Sequence, residues 1–198
     1  MRAVLVRHGE KEHNRKDSIT GQMDVEITEN GREQARKVSE RFADRDFEKA
    51  YSSDLRRTSE TIEIISDENR IEKEKKEDLR ERDFGILEGK PIEDYRRMEG
   101  EFDGEKHLLR PENGESLMET GERIVGFLDR LRNQHDRSSS ILIGAHSVAT
   151  KAALMVILDG GIEIYRKLET DNASITELEY DEIYGWKITR LNDTAHLG

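Results

Sequence analysis

Apolar residues along the chain form short continuous runs in some places and recur at helical spacing in others. Short apolar runs indicate buried strands, whereas recurrence every three or four residues indicates amphipathic helices. The pattern predicts strands at 2–6, 49–52, 71–75 and 140–145, and helices at 28–43, from Asp54, at 91–98, from Ser116 and at 148–158. Thr28, Asp54 and Ser116 are candidate N-caps, and residues 10–27 read as a loop. Because strands and helices alternate, we expect an α/β fold.

Two other regions depart from this alternation. Residues 174–180 alternate in polarity and can pair with 186–191 through a turn at 181–185, which predicts an antiparallel hairpin near the C-terminus. Residues 83–115 hold five glycines and both prolines and read as an irregular insertion. The length of 198 residues predicts one domain that contains this insertion.

Composition limits the classes of function. The formal net charge is −11, so binding to nucleic acid or to anionic membranes is not expected. The chain has no cysteine, which excludes disulfides, thiolate metal ligands and a cysteine nucleophile. No apolar segment approaches the length of a membrane span, and the first apolar run is shorter than that of a secretion signal. We therefore expect a cytoplasmic protein, and the sequence carries no indication of its oligomeric state.

Two histidines stand where apolar strands are predicted to end. His8 lies in the motif Arg7-His8-Gly9-Glu10 after the first strand, and His146 follows the strand 140–145. Ligands of open α/β sheets bind outside the carboxyl ends of the strands. The junction at His146 also begins a helix, where backbone N–H groups and the helix dipole favour an anion.

These residues have the chemistry that phosphoryl transfer requires. Neutral His8 can act as the nucleophile, and the guanidinium groups of Arg7 and Arg57 can hold phosphoryl oxygens. A protonated His146 adds a third cationic donor, and a buried Glu81 can supply the proton to the leaving group. Each residue by itself also fits a plain structural position, such as a strand end or a solvated helix face.

Five motifs occur in order over most of the chain, and together they resemble the histidine phosphatase superfamily in its phosphoglycerate mutase-like branch. They are Arg7-His8-Gly9-Glu10 with Asn14, Gly21, Ile27-Thr28 and Gly31; Ser52-Ser53-Asp54-Leu55-Arg56-Arg57-Thr58 with Thr61; Leu79-Arg80-Glu81-Arg82 with Gly85 and Glu88-Gly89; Gly114-Glu115-Ser116; and the strand that ends at His146. Two positions depart from the family pattern. Ser147 stands where the family usually has glycine, and Thr58 stands where it usually has alanine.

The resemblance implies roles for individual residues. It implies that His8 becomes phosphorylated, and that Glu81 is first the proton donor and then the base for the attacking water. It implies a phosphate pocket formed by Arg7, Arg57 and His146 and lined by Asn14 and Gly21, to which the Ser147 hydroxyl can add a donor. It also implies a mostly parallel central sheet flanked by helices on both faces, with no metal. Gly9 is expected to let the backbone turn, and Glu10 has no assigned role.

The resemblance leaves the reaction open. Cofactor-dependent mutases of the family carry a longer insertion with added basic residues, whereas residues 99–115 here are mainly acidic. Arg96 and Arg97 could serve as cations or form a solvated helix face. We favour a phosphomonoester hydrolase that needs no cofactor and acts on a small phosphorylated metabolite. The alternatives are a phosphoglycerate mutase that uses 2,3-bisphosphoglycerate and a non-catalytic phosphate-binding module.

Overall fold

The computed structural model describes residues 1–11 and 18–198, and in these ranges six strands form one mixed sheet. The order is β3-β2-β4-β1-β5-β6, with parallel pairing from β3 to β1 and antiparallel pairing from β1 through β5 to β6. The strands are β1 (Arg2–Arg7), β2 (Lys49–Ser52), β3 (Lys73–Lys75), β4 (Ser140–Ala145), β5 (Ile175–Asp181) and β6 (Gly185–Asp193). This arrangement confirms the α/β prediction and the C-terminal hairpin.

Helices cover both faces of the sheet. They are α1 (Glu29–Arg41), α2 (Arg56–Asn69), α3 (Ile92–Glu101), α4 (Leu117–Gln134), α5 (Ser147–Ile157) and the single turn α6 (Ile162–Tyr165), which the sequence pattern did not predict. Strand β1 shows the two layers, because successive side chains of a strand point to opposite faces. Val4 and Val6 pack with residues of α1 and α2, whereas Leu5 packs with residues of α4 and α5. No helix in the described ranges is both long and apolar enough to cross a membrane.

Two of the three predicted helix caps are confirmed. The Thr28 hydroxyl accepts a hydrogen bond from the Gly31 N–H at 3.0 Å, and Ser116 forms a reciprocal capping box with Glu119. The prediction for Asp54 is wrong, because α2 begins after Leu55. The Asp54 carboxylate instead binds the Arg80 guanidinium, with 2.8 Å between Oδ1 and Nε.

The region 83–115 is largely irregular around α3, which confirms the predicted short helix and extends it to Glu101. Arg82, which is 1% exposed, fastens this region to the rest of the molecule. Its guanidinium donates to the carbonyls of Glu115 and Leu109 at 2.9 and 3.0 Å and to the Tyr95 hydroxyl at 3.0 Å. Arg82 therefore joins three points of the insertion to the segment that carries Glu81.

The parallel strands place three functional segments side by side. Arg7 at the end of β1 is in register with Ala145 at the end of β4, and Ser52 at the end of β2 is in register with Gly144. The residues that follow β1 and β4 are His8 and His146, and β2 leads into α2. The carboxyl edge of the sheet thus brings together residues that lie more than 130 positions apart.

Candidate active site

A cleft of about 220 Å³ opens at the carboxyl ends of β1, β4 and β2. Its floor carries charged groups, and part of its wall is apolar. The lining residues are Arg7, His8, Lys11, Ser18, Ile19, Thr20, Gly21, Arg57, Glu81, Phe84, Ile92, Ser147 and Val148. Six residues predicted for the site, Arg7, His8, Gly21, Arg57, Glu81 and Ser147, therefore meet in one place. Asn14 lies outside the described residues.

His8 is 3% exposed and is held in one tautomer. Its Nδ1 lies 2.8 Å from the Gly9 carbonyl oxygen, and because a carbonyl only accepts, Nδ1 is the donor. Burial lowers the pKa of His8 well below its ordinary value, and the nearby charges of Arg7 and Arg57 lower it further. The ring is therefore neutral at pH 7, with the lone pair on Nε2, which is the form that attacks an electrophile.

His146 is fully buried and packs edge-on against His8, with 5.4 Å between the ring centroids. It does not line the cleft. The Thr58 hydroxyl oxygen lies 3.1 Å from its Nε2. Burial first, and then the charge of Arg57, lower the pKa of His146 well below its ordinary value. The third cation expected here is therefore a neutral imidazole in this arrangement.

Arg7 and Arg57 are anchored by backbone carbonyl groups. Arg7 Nη1 donates to the Thr170 oxygen at 2.6 Å, and the two Nη atoms of Arg57 donate to the oxygens of Met23 and Gly21 at 2.8 and 2.7 Å. The Nε atoms of both arginines are buried and have no acceptor among the described residues. Both residues line the cleft, so their guanidinium groups can also hold an anion there.

Glu81 occupies the N-terminus of α5. Its two carboxyl oxygens accept hydrogen bonds from the N–H groups of Ala149, Val148 and Arg82 at 2.7, 3.1 and 3.0 Å. The expectation that this helix end binds the substrate anion is therefore corrected. Its donors hold the carboxylate of Glu81, and this contact fixes the group on the wall of the same cleft as His8.

Gly21 and Ser147 also border the cleft. Gly21 has a φ of +49°, and a Cβ there would lie 2.0 Å from Glu88 Oε1, so the position requires glycine. The Ser147 hydroxyl lies 2.9 Å from the Thr170 hydroxyl. Thr170 therefore contacts both Ser147 and Arg7.

Three residues near His8 have roles that sequence reasoning missed. Lys11 lines the cleft, and its Nζ donates to the Thr20 hydroxyl at 2.6 Å. Burial, and then the charge of Arg57, lower the pKa of Lys11 to about 8. The Asn172 amide donates to the carbonyls of His8 and Gly9 at 3.1 and 3.2 Å. Lys11 follows the first motif directly and could have been noticed, whereas Thr170 and Asn172 lie in a polar stretch without a pattern.

The other two residues of the first motif are structural. Glu10 accepts hydrogen bonds from the Thr28 hydroxyl at 2.7 Å and the Asn30 amide at 3.1 Å, so it fastens the start of α1. A Cβ on Gly9 would lie 2.4 Å from the Gly31 carbonyl oxygen. Glycine is thus needed here for close approach to α1, and not for a turn as expected. Among the described residues, no cluster of three or more histidine, aspartate or glutamate side chains is placed to hold a metal ion.

Comparison with known proteins agrees with this geometry. The family model of the histidine phosphatase superfamily (branch 1) matches residues 3–194. A relative from Yersinia pestis (strain Pestoides F), named "Probable phosphoglycerate mutase GpmB", is 33% identical over 206 residues, which cover 100% of this chain and 95% of the relative.

Two solved structures are also similar. Bacillus stearothermophilus YhfR has a TM-score of 0.88 and 26% identity, with 100% of this chain and 99% of that chain covered. The phosphoserine phosphatase of Entamoeba histolytica, solved in complex with 3-phosphoglyceric acid, has a TM-score of 0.85 and 27% identity over the same shares of the two chains. The family model matches nearly the whole chain, and the residues of its motifs gather around His8. The chain therefore belongs to the histidine phosphatase superfamily.

Proposed function

We propose that this protein is a metal-independent phosphomonoester hydrolase that acts through a phosphohistidine at His8. The observation that carries the proposal is the convergence of a neutral His8, the guanidinium groups of Arg7 and Arg57 and the carboxyl group of Glu81 on one cleft. A phosphate ester bound in this cleft offers its oxygens to the two guanidinium groups and its phosphorus atom to the nucleophile.

The first step transfers the phosphoryl group to the enzyme. His8 Nε2 forms a bond to phosphorus as the bond from phosphorus to the alcohol oxygen breaks, and Glu81, which enters this step protonated, gives that oxygen its proton. Arg7 and Arg57 hold the equatorial oxygens. The phosphoryl group brings negative charge close to His146, and this charge favours protonation of that ring.

The second step releases phosphate. Water attacks the phosphorus, the bond from His8 Nε2 to phosphorus breaks, and Glu81, now a carboxylate, takes the proton from the water. The enzyme returns to its starting protonation state, so no cofactor is consumed.

Hydrolysis is favoured over mutase activity because the cations of the insertion are paired with other groups and do not line the cleft. Arg96 and Arg97 pair with Glu93 and Asp94 at 3.3 and 2.7 Å on the surface of α3. Arg110 pairs with Glu119 at 2.9 Å, and Lys106 donates to the Glu99 carbonyl at 2.6 Å. None of these four cations lines the cleft. The similarity to a phosphoserine phosphatase supports the same choice.

The phosphoglycerate mutase is the second candidate, because a relative with that name is 33% identical over the whole chain. For either reaction, the volume of the cleft suits a small phosphorylated metabolite. A cytoplasmic location is part of the proposal.

The proposal is tested with p-nitrophenyl phosphate as the substrate and enzyme treated with EDTA. We expect hydrolysis that is inhibited by vanadate and that falls by about a thousandfold or more in His8→Ala. His135→Ala is the matched control, because His135 lies after α4 at the other end of β4. Full activity in His8→Ala, or loss of activity with EDTA, would contradict the proposal.

The alternatives give different results. Interconversion of 2- and 3-phosphoglycerate with catalytic 2,3-bisphosphoglycerate, faster than their hydrolysis, indicates the mutase. Vanadate binding without turnover of either kind indicates a phosphate-binding module.

A further inference from the structure

We propose that Asn172 is a positioning residue for the nucleophile, because its amide holds the backbone carbonyl that keeps His8 in its reactive tautomer. Asn172 does not line the cleft, so it acts through the Gly9 carbonyl and not by contact with the substrate. This inference rests on the proposed function, since it concerns the same histidine, and it adds a residue that lies outside all five motifs.

The amide of Asn172 lies against two consecutive backbone carbonyls. Its Nδ2 donates to the oxygens of His8 and Gly9 at 3.1 and 3.2 Å. Both oxygens can only accept, so the nitrogen of the amide faces them, and each of its two hydrogens can meet one carbonyl. The Gly9 oxygen also accepts the Nδ1–H of His8 at 2.8 Å. One oxygen thus receives both the Asn172 amide and the His8 imidazole.

The orientation of the Gly9 carbonyl decides which nitrogen of His8 carries the proton. With the oxygen against Nδ1, the proton stays on Nδ1 and the lone pair stays on Nε2. A carbonyl turned away from the ring would allow the other tautomer, in which Nε2 carries the proton and cannot attack phosphorus. The hydrogen bond from Asn172 opposes this rotation, because the turn would also leave the amide without one of its acceptors.

Backbone pairing beyond the ends of β1 and β5 brings Asn172 to this place. The Arg7 N–H donates to the Ser174 oxygen at 3.1 Å, and the Ala173 N–H donates to the Arg7 oxygen at 3.1 Å. Ala173 has a φ of +56°, so the extended pairing ends there. The side chain of the preceding residue, Asn172, then meets the carbonyls that follow β1.

The segment that carries Asn172 is also held by other parts of the fold. Asn192 Oδ1, from β6, accepts the N–H of Asp171 at 2.6 Å, and Asn192 Nδ2 donates to the Asp171 carboxylate at 2.8 Å. The Thr170 carbonyl accepts Arg7 Nη1 at 2.6 Å. The segment therefore positions the nucleophile and one phosphate-binding arginine together, before the substrate binds.

The test compares the native enzyme with Asn172→Ala and Asn172→Asp. The first variant removes both donors, and the second keeps the shape of the side chain while its carboxylate offers no donor at neutral pH. In ¹H–¹⁵N spectra of the phosphate-free enzyme, we expect native His8 to be protonated at Nδ1 and both variants to show a mixture of tautomers. In Asn172→Ala, kcat for p-nitrophenyl phosphate should fall by about tenfold or more, with a change in KM below about threefold.

Asn69→Ala is the matched control. Asn69 Nδ2 donates to the Ser39 hydroxyl and the Ile65 carbonyl at 2.7 and 2.9 Å, at the opposite end of α2 from Arg57. Loss of this amide should lower the melting temperature and leave both the tautomer of His8 and kcat at their native values.

The two proposals fail in different ways. If Asn172→Ala keeps His8 protonated at Nδ1 alone, or keeps the native kcat, Asn172 does not position the nucleophile, and the phosphatase stands. A mixture of tautomers in Asn69→Ala would also overturn the role of Asn172, because general loss of stability would then be the cause. If the native enzyme hydrolyses no phosphomonoester, the phosphatase fails, and the tautomer of His8 in Asn172→Ala still decides what Asn172 does.

Discussion

The nucleophile proposed for this protein owes its reactivity to its surroundings at the scale of single residues. His8 is buried between the cations Arg7 and Arg57, and both conditions disfavour the imidazolium form. The Gly9 carbonyl accepts the hydrogen bond from Nδ1–H, which leaves the lone pair of the ring on Nε2. A histidine whose pKa is lowered in this way is neutral, and so able to attack phosphorus, at physiological pH.

This account predicts that His8 stays neutral when the pH falls through 6.5, where an ordinary imidazole is half protonated. The measurement is an NMR titration of the imidazole resonances in the phosphate-free enzyme, with assignment through His8→Asn. The expected result is a midpoint well below 6.5, because protonation must overcome burial and the two guanidinium charges. A midpoint at or above 6.5 would contradict it.

The motifs predicted the residues with strong chemistry and missed those that hold them. Short local motifs contain the residues with the strongest chemistry, which are Arg7, His8, Arg57 and Glu81. Asn172 donates to the His8 carbonyl from 164 positions away, and no local pattern reports such a contact. The neutral state of His146 could not be predicted from the sequence either, because it depends on burial and on the charge of Arg57.

At the scale of elements, local periodicity predicted where strands and helices lie. It did not predict which groups form hydrogen bonds with the backbone at their ends. The Asp54 side chain has the chemistry of an N-cap, yet it pairs with Arg80. The N–H of Arg56 at the start of α2 donates to Asp24 Oδ1 at 2.7 Å. Both contacts join segments that are distant in the chain. They replace the N-cap that the local sequence predicts, and the local sequence gives no indication of them.

The turn at Gly21, Gln22 and Met23 links the insertion to the phosphate-binding groups. Glu88 Oε1, from the insertion, accepts the N–H of Gln22 at 2.7 Å. Arg57 donates to the carbonyls on either side of that residue. The Gln22 side chain donates to the Glu81 carbonyl at 3.1 Å. Glu88 is therefore a positioning residue that acts on Arg57 through the turn.

We accordingly expect Glu88→Ala to weaken phosphate binding more than it slows chemistry. The substitution leaves the N–H of Gln22 without its acceptor and frees the turn that anchors Arg57. The expected result is a rise in KM for p-nitrophenyl phosphate of about tenfold, with a smaller change in kcat. Glu88→Gln, which keeps an acceptor oxygen, should recover part of the loss.

Glu93→Ala serves as the matched control for Glu88→Ala. Glu93 lies on the exposed surface of α3, where it pairs with Arg96. A rise in KM of the same size in both variants, or an unchanged KM in Glu88→Ala, would show that Glu88 does not position Arg57.

The whole molecule carries charge of the same sign as the proposed phosphate ester, and positive charge is gathered only in the cleft. The net charge of −11 repels a phosphate ester at long range, and this repulsion is screened beyond about 8–10 Å at physiological salt. Three cations from separate parts of the chain, Arg7, Lys11 and Arg57, converge in the cleft. The sequence predicted the two arginines of this group, while Lys11 was missed although it directly follows the first motif.

The phosphohistidine at His8 is tested most directly by rapid acid-free quenching of the enzyme with a ³²P-labelled phosphomonoester. We expect up to one phosphate per chain, labile in acid and stable in base, and mapped by peptide analysis to His8. His8→Ala should carry no label. An enzyme that hydrolyses the ester without this label, or a label that persists in His8→Ala, would contradict the account.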